Sequence, residues 1–131
     1  MILDTSALVA VLNAEAERRS FEELIAANDC SLSSVSYLEV SIVLSMKRGP
    51  EALHELDAWI ETSEITVVPF TFVQARLARR AYLAYGKGRH KAGLNFGDCI
   101  AYALATDLSE PLLFKGDDLA LTDVQSAKSI E

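Results

Sequence analysis

Met1-Ile2-Leu3-Asp4-Thr5-Ser6-Ala7-Leu8-Val9-Ala10-Val11-Leu12 is the stretch whose reading decides the fold. Met1 to Asp4 reads as a short buried strand, with the acid at its end. Thr5 or Ser6 can cap the next segment, and Ala7 to Leu12 reads as a short helix. The same alternation continues down the chain. Residues 15 to 27 read as a helix with Phe21, Leu24 and Ile25 on one face. Cys30-Ser31-Leu32 reads as a weak strand, and the serines at 33, 34 and 36 precede a helix to about Arg48. Gly49-Pro50 ends that helix and starts the next, from about Glu51 to Glu61. Ile65 to Val68 is a β-branched strand closed by Pro69, and Thr71 caps a helix reaching about Tyr85. After a loop over 86–93, helix resumes from Phe96 to Leu108. Pro111 leads into the strand Leu112-Leu113-Phe114, and Val124 to Ser129 is read as a final edge strand. Strands alternating with helices predict an α/β fold of three layers, α/β/α, around a central, mainly parallel sheet of about four or five short strands. With no repeat, low-complexity stretch or linker, a single domain over residues 1–131 is expected.

Half of the 131 residues are hydrophobic and 24% are charged, the profile of a compact soluble protein. Cys30 and Cys99 lack metal-ligand spacing and read as small buried residues in a reducing compartment. No run approaches the roughly 18 apolar residues that cross a bilayer, and the first residues lack the basic region of a signal peptide. A cytoplasmic protein with no membrane partner is expected. The net charge of −7 argues against nucleic acid when taken alone. Its distribution argues otherwise. Arg76, Arg79, Arg80, Lys87, Arg89 and Lys91 are half of the twelve Lys and Arg residues. An acidic pocket beside such a band suits a metal-dependent enzyme acting on phosphodiesters, although a solvated helix face followed by a basic loop also accounts for it.

The acidic pocket is inferred from where four carboxylates fall. Asp4 ends the first strand. Glu39 sits early in the helix after Ser36, Asp98 at the mouth of the helix after Asn95, and Asp117 just past the strand Leu112 to Phe114. In an open α/β sheet these places converge on the carboxyl edge of the strands, where ligands bind. Four crowded carboxylates need protons or a divalent cation to hold them together. Each acid also has a purely local explanation. Asp4 can cap a helix, Ser36 and Glu39 fit a capping box, Asn95 and Asp98 suit a helix start, and Asp117 with Asp118 suits a turn after Gly116. Asp117 is preferred over Asp118 as the first acid after the strand. Ser6 can hydrogen-bond a neighbouring carboxylate or serve only the helix. No glycine-rich phosphate loop competes with this reading. His54 reads as a surface helix residue, and His90, in the basic loop, as a possible phosphate contact. Tyr37, Trp59, Tyr82 and Tyr85 read as core or interface residues rather than stacking platforms.

Four segments carry a resemblance: Met-Ile-Leu-Asp-Thr-Ser-Ala-Leu at the start, Ser-Tyr-Leu-Glu-Val at 36–40, Asn-Phe-Gly-Asp-Cys-Ile-Ala-Tyr-Ala at 95–103, and Leu-Leu-Phe-Lys-Gly-Asp-Asp at 112–118. Together they resemble the PIN domain, specifically the VapC toxins of toxin–antitoxin pairs, over essentially the whole chain. Leu119 stands where an aromatic is common after the acid pair. The resemblance implies a metal-dependent endoribonuclease. Asp4 and Asp98 would be the principal ligands of Mg²⁺ or Mn²⁺, and Glu39 and Asp117 would complete the catalytic site. It also implies an RNA substrate, a homodimer and a cognate antitoxin protein. Two other classes stay open. One is a catalytically silent PIN-like module that only binds a partner. The other is an α/β phosphatase with an aspartyl nucleophile, which usually wants a second Asp where this chain has Ser6.

Overall fold

The computed structural model describes residues 1–130. Four strands form one sheet: β1 (Ile2–Leu3), β2 (Ser31–Ser33), β3 (Thr66–Val68) and β4 (Leu112–Leu113). Their order is β3-β2-β1-β4, and every pairing is parallel. Ile2 pairs with both Ser31 and Leu112, and Leu32 with Val67. The helices are α1 (Thr5–Leu12), α2 (Arg18–Ala27), α3 (Ser34–Arg48), α4 (Ala52–Thr62), α5 (Phe72–Tyr85) and α6 (Phe96–Leu108).

Alternation along the strands builds the three layers, because successive side chains leave opposite faces of a sheet. Leu3, Leu32 and Leu113 point into one core, with Leu8, Phe21, Val40, Leu44 and Leu56 from α1 to α4. Ile2 and Leu112 point into the other, with Ala78, Ala81, Cys99, Ala103 and Leu104 from α5 and α6. Strands β1 and β4 are buried on both sides, as parallel strands covered by helices must be, whereas Thr66 and Val67 of the edge strand β3 are exposed. The chain runs β1, β2, β3 outward in one direction and then returns across β1 to place β4 on its other side. That reversal makes a topological switch between β1 and β4, with a crevice at their carboxyl ends.

Several boundaries differ from those the sequence suggests. Asp4 itself caps α1, accepting from the Ser6 N–H, so Thr5 and Ser6 lie inside the helix. The second helix begins at Arg18, not near residue 15. The second strand is displaced one residue, from Cys30–Leu32 to Ser31–Ser33. Ser33 caps α3, accepting from the Val35 N–H at 3.2 Å. Ser36 is therefore a buried residue inside the helix, and the Ser36–Glu39 capping box does not form. The expected edge strand Val124–Ser129 is reduced to one bridge between Leu112 and Ser126, after which Ala127–Ile130 turns as a short 3₁₀ helix. Thr71 caps α5 as expected, and α6 runs from Phe96 to Leu108 as expected.

Candidate active site

Asp4 leaves β1 at the switch point and is buried. Its Oδ2 accepts the Ser6 N–H at 3.0 Å and the Ser6 hydroxyl at 2.5 Å. The Ser6 oxygen accepts in turn from the Lys115 N–H at 2.9 Å, which ties the end of β1 to the loop after β4. Burial pushes the Asp4 carboxyl up to about 6 against the lowering pull of the Ser6 bonds, and the charges of Asp98 and Glu39 add to the rise.

Asp98 enters from the first turn of α6 in a complete capping box. Asn95 Oδ1 accepts the Asp98 N–H at 2.9 Å, and Asp98 Oδ2 accepts the Asn95 N–H at 3.1 Å. Its carboxyl is also raised, first by desolvation and then by the charges of Asp118 and Glu39. Glu39 is held from the opposite side, where its Oε1 accepts from the Thr5 hydroxyl at 2.5 Å. The Glu39 carboxylate lies against Gly97, where a β-carbon would stand 2.7 Å from its Cδ. Gly97 is therefore the gap in α6 into which Glu39 fits. The sequence suggested only a capping role for Thr5 and none for Gly97. The Asn-Phe-Gly-Asp motif contained the glycine, but nothing local pointed to its partner 58 positions upstream.

The charges of Asp98 and Glu39 thus reach Asp4, and that of Glu39 reaches Asp98. The fourth acid is different. The charge that reaches Asp98 from the loop after β4 is that of Asp118, the residue that opens the short 3₁₀ turn Leu119–Leu121. Both acids of the pair are exposed. Of the two histidines, His54 is exposed and His90 is half-buried, with its Nδ1 accepting the Ala92 N–H at 3.0 Å. Cys30 and Cys99 are buried free thiols.

No ion pair among the described residues includes Asp4, Glu39, Asp98, Asp117 or Asp118. Lys115, the nearest cation in sequence, is committed to Glu15 at 2.8 Å and Glu17 at 3.3 Å. Among the described residues no three His, Cys, Asp or Glu side chains close into a metal cage. Each of the three inner acids spends one oxygen on a hydrogen bond, which leaves Asp4 Oδ1, Glu39 Oε2 and Asp98 Oδ1 for a ligand. Hard oxygen donors that no cation pairs among the described residues fit Mg²⁺ or Mn²⁺ in their chemistry. Mg²⁺ is usually held by one or two carboxylates, with water and substrate phosphate completing its shell.

A parallel α/β/α sheet whose switch point gathers acids that no cation pairs among the described residues defines the class: a three-layer fold with its crevice at the carboxyl ends of the strands. The chain belongs to the PIN domain family, whose model matches residues 1–125, and within it to the VapC group. It is 50% identical over 129 residues to ribonuclease VapC28 of Mycobacterium tuberculosis, covering 97% of each chain. It is 46% identical to a ribonuclease VapC of Mycolicibacterium smegmatis, covering 95% of this chain and 97% of that one. Two solved structures share the fold at 18% identity. VapC20 of M. tuberculosis, described as a toxin cleaving the sarcin–ricin loop, has a TM-score of 0.76 and covers 94% of this chain and 95% of its own. VapBC2 of Rickettsia felis, bound to a promoter DNA fragment, has a TM-score of 0.70 and covers 95% and 94%.

Proposed function

We propose that this chain is a divalent-metal-dependent endoribonuclease and the toxin of a toxin–antitoxin pair. The observation that carries the reading is Asp4, a buried carboxylate raised to about 6 and facing the charges of Asp98 and Glu39. Such a cluster costs stability unless a cation fills it, and chains half-identical to this one bear the name ribonuclease. Asp4 and Asp98 would hold Mg²⁺ or Mn²⁺. The ion would supply the Lewis acidity that activates water and steadies charge growing on a phosphate.

The chain's own residues do the rest. Ser6 fixes the Asp4 carboxylate, so that its other oxygen points away from the cap. Thr5 and Gly97 fix Glu39 beside the first turn of α6, where it can orient water or take a proton. Asp118, or Asp117 beside it, closes the cluster from the loop after β4. Asp117, the fourth acid preferred in the sequence analysis, stays in the proposal beside Asp118. The cations from Arg76 to Lys91 would meet the RNA backbone.

A homodimer and a cognate antitoxin complete the proposal. Leu38, Ile42 and Met46 form an exposed apolar row on α3, 58%, 49% and 81% accessible, which suits a protein partner. A Klebsiella pneumoniae relative in fold is a toxin–antitoxin complex, which supports the same reading. The test is cleavage of single-stranded RNA by purified chain stripped with EDTA and then given Mg²⁺ or Mn²⁺. Cleavage restored by metal and absent in Asp98→Asn supports the proposal. An inert protein that still binds an antitoxin would instead be a silent binding module.

A further inference from the structure

The first residue of α6, Phe96, is 74% accessible to solvent, although it lies two positions from Asp98. It divides two apolar grooves whose walls also share Ile100. One, of about 210 Å³, runs between α3 and α6 and reaches Glu39 and Gly97. The other, of about 390 Å³, runs between α5 and α6 and is walled by Phe70, Ala78, Arg79, Tyr82, Phe96 and Cys99.

Among the described residues, Arg79 is the only charged one lining this larger groove. Three positions on, Tyr82 presents a ring that is 43% accessible, and the Arg89 guanidinium lies 5.5 Å from its centroid. Tyr82, read from sequence as a core or interface residue, is thus a partly exposed ring braced by a cation. The stretch 72–97 holds Arg76, Arg79, Arg80, Lys87, Arg89 and Lys91 and not one acid. None of these six cations is in an ion pair among the described residues. Of the six, Arg79 lines the groove and Arg89 stands over the Tyr82 ring, whereas Arg80 lies in a separate hollow with Tyr102 and Asp123; in a protein of net charge −7, Arg79 and Arg89 beside exposed rings complement a polyanion with flat apolar parts.

We propose that the α5–α6 groove is a base-stacking subsite for single-stranded RNA. A nucleotide flanking the cleaved phosphodiester lays its base against Phe96 and Tyr82, while Arg79 and Arg89 take the adjoining phosphates. Aromatic rings beside a cationic track are how single strands are held without reading their sequence. The inference rests on the ribonuclease reading, but it is tested without cleavage.

Phe96→Trp places an indole at the subsite, and the half-buried Trp59 of the wild type supplies the baseline signal. In EDTA, so that nothing is cut, the variant is titrated with a uridine dodecamer and with an abasic ribose-phosphate oligomer of equal length. Saturable quenching by the dodecamer is expected, with affinity on the order of ten-fold above the abasic oligomer. The same preference should fall in Phe96→Leu, which keeps apolar bulk and removes the stacking ring. In Arg79→Gln, affinity for both oligomers should fall together. Asp98→Asn should retain the binding while losing cleavage, so a failed nuclease assay and a failed subsite are separate results. No quenching, or equal affinity for the two oligomers, overturns the subsite. So does a dimer that dissociates in Phe96→Leu with RNA affinity unchanged, which would give the groove to a second copy.

Discussion

Replacing Asp4 by Asn should stabilise the metal-free protein at neutral pH, although the residue caps a helix at the centre of the fold. The folded-state value of about 6 lies above the ordinary 3.8, so folding works against ionisation of Asp4. The penalty is absent below about pH 3.8, where the carboxyl is neutral in both states. It grows as pH rises and is complete above about 6. Two units correspond to roughly 3 kcal/mol. The Asn oxygen can still accept the Ser6 N–H, and Asn is as good a cap as Asp, so α1 keeps its start. The charge assistance lost from the Ser6 hydroxyl bond is already contained in that figure, because the Ser6 bonds lower the value from which it is worked. A gain of roughly 2–3 kcal/mol should raise Tm by about 5–15 °C at this chain length. The assay is calorimetric melting at pH 7.5 in EDTA, repeated at pH 4, where the gap between the two proteins should close. Saturating Mn²⁺ should reverse the ranking, because a ligand at a thousandfold excess over its Kd adds about 4.1 kcal/mol to the protein that binds it. An Asp4→Asn variant that melts at or below wild type at pH 7.5 in EDTA would refute the reasoning.

Glu39→Gln should change stability by less than about 1 kcal/mol, since Ser33 rather than a Ser36–Glu39 box caps α3, yet RNA cleavage should fall by about 10²-fold or more. Steady-state cleavage and melting on the same preparation check both halves of that statement. Gly97→Ala puts a β-carbon into the Glu39 carboxylate. Although alanine is the better helix former, with an intrinsic preference of about 1 kcal/mol, the variant should lose activity without a matching gain in Tm. Neutralising Lys87, Arg89 and Lys91 together should flatten the salt dependence of RNA binding, by roughly 0.7 in log–log slope for each phosphate that is no longer neutralised. An unchanged slope with weaker antitoxin binding would assign the loop to protein contacts.

Local chemistry made much of this fold legible. Thr71 and Asn95 are strong caps ahead of apolar-periodic segments, and α5 and α6 begin directly after them. Three serines in four positions gave no such answer at α3. There the choice fell to Ser33, whose strand register against Val68 fixes where the backbone turns into helix, and that pairing is a tertiary fact. The four acids posed a different difficulty. Capping and site roles read as competing explanations of Asp4 and Asp98, yet both side chains cap with one oxygen only, so the two roles are compatible. The Thr5–Glu39 bond spans 34 positions, and no periodicity reports it. The choice between Asp117 and Asp118 depended on Gly116, whose φ of 101° sets the direction of the turn that presents them. The exposure of Phe96 was equally hidden, because its place at the start of an apolar-periodic helix suggests burial.

The central claim is that Asp4 and Asp98, with Glu39 beside them, share a divalent cation. The most direct measurement is an anomalous difference map from crystals of the wild-type chain soaked in Mn²⁺, collected beside crystals of Asp98→Asn treated identically. A strong peak is expected between the Asp4 and Asp98 carboxylates in wild type, absent or severely weakened in the variant. Mn²⁺ bound elsewhere with this cluster vacant, or a peak of equal strength in Asp98→Asn, would contradict it.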